Sequence, residues 1–113
     1  MGKKLISEQD GLAALSDLDN QLPTAVRYLL QKISLCHPGG SVELRVPPYG
    51  AVQCIEGMNH RRGTPPNVVE LSPEVFLQLC SGELEPGKAA SMPGSNFSGE
   101  KAAEILSVFP IQG

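Results

Sequence analysis

Cysteine, histidine and arginine are the side chains of this 113-residue sequence with chemistry to offer. Cys54 and His60 are candidates for a nucleophile and its base, and their separation in sequence does not matter because such pairs meet in space. No third orienting residue and no oxyanion glycine loop accompanies them. The apolar neighbours of Cys54 favour the plainer reading, a buried thiol acting as a small hydrophobe. His37, His60 and the three cysteines, Cys36, Cys54 and Cys80, fit no usual zinc spacing. An odd number of widely spaced cysteines without C-x-x-C gives no disulfide framework. Gly39-Gly40 and Gly57 read as turn glycines, since no G-x-x-x-x-G-K-[ST] run occurs. No metal, cofactor or catalytic residue is therefore expected. Arg45, His60, Arg61 and Arg62 remain as a candidate anion site, because guanidinium groups match carboxylate and phosphate geometry. The competing reading is a solvated basic loop with Arg45 paired to Glu43 or Glu56 across strands, an arrangement worth about 0–1 kcal/mol. From the residues alone the solvated loop weighs more.

Composition narrows the class. A net charge of −3 and a pI near 5.3 argue against general nucleic-acid binding, which favours basic domains. Hydrophobic residues make up 41% and charged residues 19%, so the chain has the material for one packed core. Aromatics are only 4%, with no Trp, so that core must be built from Leu, Val, Ile, Ala and Cys. Twelve Gly and ten Pro predict short elements and many loops after residue 37. No apolar run approaches the roughly 20 residues that span a bilayer. The basic start, Met1-Gly2-Lys3-Lys4, is not followed by an apolar stretch of signal-peptide length. Free cysteines add the expectation of a reducing cytoplasm.

The elements that must position these residues can be read in order. Ser7 caps a first helix with Glu8 and Asp10 in its opening turn, and Leu12 and Leu15 give that helix one weak apolar face; it is expected to end near Asn20. Pro23 fits the first turn of a second helix, where Val26, Leu29, Leu30, Ile33 and Cys36 share a face. Pro38-Gly39-Gly40 stops it. Residues 41–46 alternate, with Val42, Leu44 and Val46 on one side, as in a half-buried strand. Pro47-Pro48-Tyr49-Gly50 turns the chain into residues 51–56. Both faces of that segment are partly apolar, which predicts a central strand or one bordering a cavity. A loop over 57–66 precedes a strand over 67–71. Ser72-Pro73-Glu74 then opens a helix carrying Val75, Phe76, Leu79 and Cys80, stopped at Gly82. A short turn over 85–90, a weak strand over 94–98 and a closing helix over 100–109 complete an α+β pattern.

Two stretches carry a family resemblance: Arg45 to Gly57 with its Pro-Pro-Tyr-Gly turn, followed by His60-Arg61-Arg62-Gly63-Thr64-Pro65-Pro66, and the run Ser81-Gly82-Glu83-Leu84-Glu85-Pro86-Gly87-Lys88-Ala89. The latter is similar to an "S-G-K-L-x-P-x-x-A" signature, and Asn96-Phe97-Ser98-Gly99 resembles a last strand. Together they resemble the sterol carrier protein 2 family, specifically its small actinobacterial branch. The resemblance covers about residues 22–110 of a single domain spanning 1–113, leaving 1–21 as an N-terminal helical extension. It implies a sheet of about five strands, mainly antiparallel, flanked by helices around an apolar tunnel for sterols, fatty acids or acyl-CoA. On that basis Val46, Val52, Cys54, Phe76, Leu79 and Cys80 are candidates to line a lipid pocket, with Arg45, His60 and Arg61 at its mouth; as bare sequence, the same apolar positions read as ordinary core. The function implied is a non-catalytic carrier for lipids or other hydrophobic small molecules, without nucleic acid. The alternative is an interaction domain with a closed core, no ligand and an exposed basic loop. Thiol-dependent isomerases that join such a domain to a metal-binding helical one represent a third class. The long His-bearing helices of that class are missing here, so no independent catalysis is expected. The C-terminal Phe109-Pro110-Ile111-Gln112-Gly113 is not a peroxisomal address.

Overall fold

A sheet with helices on one face only organises the chain, as described by a computed structural model for residues 5–57 and 66–111. Helix α1 (Glu8–Leu15) starts where the sequence places it: the Ser7 hydroxyl accepts a 3.1 Å hydrogen bond from the Asp10 amide. Helix α2 (Leu18–Cys36) begins earlier than Pro23 but breaks at Gln21, whose φ of −129° and ψ of 30° are not helical. The break puts Pro23 in the first turn of the long portion, where a missing N–H loses no helix bond. Cys36, counted on the apolar face, is exposed at the helix end.

Strands β1 (Val42–Val46) and β2 (Gly50–Cys54) form the antiparallel hairpin, closed by a hydrogen bond of 2.9 Å from the Tyr49 amide to the Val46 carbonyl. Strand β3 (Asn67–Glu70) lies on the other side of β1 and parallel to it, and β4 (Asn96–Ser98) pairs antiparallel with β3. The order is β2-β1-β3-β4. The expectation of about five mainly antiparallel strands is therefore corrected to four in a mixed sheet among the described residues. The physical reason lies in the strand ends: β2 finishes at the end of the sheet where β1 begins, and β3 starts at that same end on the free edge of β1, so β1 and β3 run the same way.

A second correction concerns residues 51–56. They do not form a central strand: β2 is an edge strand and stops at Cys54. Ile55 sits at φ +69°, unusual for a β-branched residue. It is held there by its amide donating to the His37 carbonyl at 2.8 Å and its own carbonyl accepting from the Ser41 amide at 3.0 Å. Gly39, at φ +147°, lets the 37–41 loop cross this point, since a Cβ there would collide with the Ile55 carbonyl. The apparent second apolar face of the segment is thus a consequence of this reversal.

Helix α3 (Pro73–Ser81) has the cap read from the sequence, Ser72 Oγ accepting from the Val75 amide at 3.2 Å, and ends on Gly82 at φ +87°. Two 3-10 helices follow, Pro86–Ser91 and Ala102–Val108, the second standing where an α-helix was expected. Alternation puts Val42, Leu44, Val46 and Val69 on the inner face of the sheet, all fully buried. Val26, Leu30 and Ile33 of α2, Phe76 and Leu79 of α3, and Ile105 complete one cluster, where Phe76 meets Phe109 edge to face at 6.2 Å. Asn67 is the one buried side chain amide among the described residues: it donates to the Ser41 carbonyl and accepts from the Lys101 amide, both at 2.9 Å. It thereby ties the loop before β1 to the turn after β4.

Candidate functional site

Val46, Cys54, Phe76 and Leu79 are each fully buried and belong to the core cluster. None of these four lines a described cleft. Burial pushes the Cys54 thiol up to about 11 and the Cys80 thiol up as well, which keeps both protonated and unreactive near neutrality. Val52 is half-buried at the sheet edge, beside a cleft of about 270 Å³ that it shares with Leu5, Leu30 and Tyr49.

The more apolar cleft lies on the outer side of the helical layer. Its volume is about 400 Å³, within the roughly 300–1,000 Å³ of small-molecule sites. One wall is Leu12 and Leu15 of α1 with Leu18 at the start of α2. The floor is Tyr28 and Leu29, and the far wall is Leu77 and Cys80 of α3 with Ile111. The far wall is fixed because the Ile111 amide donates to the Cys80 carbonyl at 3.0 Å, strapping the C-terminal segment along α3. The near wall docks on α2 through Gly11, which lies flat against the Tyr28 ring, a contact any side chain at that position would obstruct. Upstream, the Gln31 side chain imitates a strand partner: Oε1 accepts from the Ile6 amide at 2.9 Å and Nε2 donates to the Ile6 carbonyl at 2.8 Å. Lys32, Gln78, Ser81 and Glu83 supply the polar groups of the lining. The Lys32 ammonium stands 5.7 Å from the Tyr28 ring centre, a cation–π contact that fixes it beside the floor. Leu12 is 50% and Leu18 39% exposed, so the near wall presents aliphatic surface to water.

A neighbouring cleft of about 350 Å³ shares Lys32 and Ile111 with the first and adds Cys36, His37 and Ser107. The two therefore meet along α2.

Of the candidate pocket and anion-site residues that are described, only Cys80 lines the larger cleft. Arg45 is on the opposite, polar face of the sheet, donating through Nε to Glu43 Oε2 at 2.8 Å. That bond, with a further contribution from Glu70, raises the Arg45 pKa above its ordinary value. Arg45 is thus brought together with carboxylates and not with the cleft. His60, Arg61 and Arg62, and with them the Cys54–His60 pair, lie outside the described residues. Sequence reasoning missed Leu18, Tyr28, Leu77 and Ile111; the one available signal was the apolar face of Leu12 and Leu15 on a helix too short to need its own core. Among the described residues no group of three or more His, Cys, Asp or Glu is placed to hold a metal ion. No described helix is long and apolar enough to cross a membrane.

The described residues build a mixed sheet backed by helices, with an apolar cleft on the outer side of the helical layer. Residues 19–111 match the family model described as Bacterial SCP ortholog, and the chain belongs to that family. The sterol-carrier relationship suggests a lipid-carrier role in general terms. A comparison with curated proteins found no match.

Proposed function

We propose that this protein is a non-catalytic carrier of an apolar or amphipathic small molecule, and that the molecule lies in the outer cleft between α1, α2 and α3. The observation that carries this reading is the cleft itself: a leucine-lined hollow of about 400 Å³ with two half-exposed leucines on one wall. Each methylene buried there contributes about 0.8 kcal/mol. The polar lining groups Lys32, Gln78, Ser81 and Glu83 orient the wet end of the ligand. The test is native mass spectrometry of the purified protein with organic extraction. A co-purifying lipid that added fatty acid or sterol displaces is the expected result. A clean apo mass that does not shift with a lipid panel refutes the proposal.

The full burial of Val46, Cys54, Phe76 and Leu79 favours a second reading, a protein-interaction domain that keeps the fold without a ligand. The same mass spectrum separates the two, because only the carrier reading gives a lipid adduct.

A further inference from the structure

We infer that α1 is a hinged lid on this cleft, admitting the apolar molecule by moving away from α3 and closing on it with Leu12 and Leu15. The inference rests on the carrier reading and adds how the site opens. Four observations lead to it. First, α1 has eight residues, below the roughly 12–15 that hold a helix in water unaided, so its structure depends on its docking. Second, that docking is made on α2: the flat Gly11–Tyr28 contact, the buried Ala14 and the Gln31–Ile6 pair just upstream. Third, the chain has two breaks in quick succession beside it. Ser16 and Asp17 (φ −141°, ψ 58°) separate α1 from α2, and Gln21 interrupts α2 again. The Asp17 carboxylate, accepting from Asn20 Nδ2 at 3.0 Å, anchors the far side of this joint. Fourth, the family match begins at residue 19, so Leu77, Cys80 and Ile111 belong to the matched core while α1 stands outside it. Leu12 and Leu18 show aliphatic surface at the cleft that a bound molecule would cover.

Hydrogen exchange of the full chain, with and without saturating N-phenylnaphthylamine as a neutral apolar probe, tests this; probe fluorescence reports binding in the same samples. The expected result is exchange in α1 slowed by about tenfold or more on binding, with β1 and β3 amides unchanged. Binding without added protection in α1 overturns the lid and leaves the carrier reading standing. No binding of this probe, of palmitate or of dodecanol overturns both.

Discussion

Gly11 is a position where two physical effects of known sign oppose each other. Replacing an interior helix glycine with alanine stabilises a helix by about 1 kcal/mol through backbone entropy. At Gly11 the new Cβ would stand 2.5 Å from Tyr28 Cδ2 and nearer still to Cγ and Cδ1. Carbon atoms settle at about 3.5–4.0 Å, so helix and ring must separate by about 1 Å or more. The collision is with the body of the ring, not a flexible end, and Tyr28 is only 4% exposed. Overpacking of this kind costs about 1–3 kcal/mol. The net effect of Gly11→Ala is therefore a loss of up to about 2 kcal/mol, concentrated in the docking of α1. Because α1 forms one wall of the cleft, probe affinity should fall by up to about thirtyfold while the sheet stays folded. Limited proteolysis and probe titration of the variant measure the two consequences. A higher melting temperature with unchanged α1 protection and unchanged affinity would show that helix propensity wins and that the Gly11–Tyr28 contact is not what holds the wall.

The remaining expectations concern the scaffold. Asn67→Ala removes a buried side-chain amide that makes two hydrogen bonds, leaving the Ser41 carbonyl and Lys101 amide without it; a loss of about 2–4 kcal/mol in urea unfolding is expected, and a loss under 1 kcal/mol would show that water replaces the clamp. In native protein a thiol reagent should label exposed Cys36 within minutes and leave Cys54 and Cys80 protected until unfolding, as peptide mapping would reveal. Stability should fall as pH rises from 9 to about 11: an unfolded thiol ionises near 9.0, folded Cys54 keeps its proton to about 11, and the folded state therefore holds more protons in that window. Cys80 acts in the same direction, so Cys54→Ala should flatten the slope without abolishing it; an unchanged slope would remove Cys54 from the explanation.

Much of the scaffold is legible in the sequence because its signals are local. Ser72 followed by Pro73 marks the start of α3, Val26-Leu29-Leu30-Ile33 marks the buried face of α2, and Val42-Leu44-Val46 marks the inner face of β1. The errors arise where distant residues decide. Ile55 leaves the strand because His37 and Ser41 capture its backbone, and the parallel pairing of β3 depends on which edge of β1 was free. The cleft was hidden for the same reason. Its walls come from α1, α2, α3 and Ile111, brought together by contacts distant in sequence such as Gly11 with Tyr28 and Ile111 with Cys80. The apolar residues first suspected of lining a pocket, Val46, Cys54, Phe76 and Leu79, carry the same sequence pattern whether they enclose a cavity or fill one.

Where the ligand binds is tested most directly by a methyl NMR titration of leucine-, isoleucine- and valine-labelled protein with N-phenylnaphthylamine and with palmitate. The expected shifts fall on Leu12, Leu15, Leu18, Leu77 and Ile111, with Leu44, Val46 and Leu79 unmoved. Shifts centred on Val46 and Leu79 would mean that the core opens to form the site, and the outer cleft would lose its role.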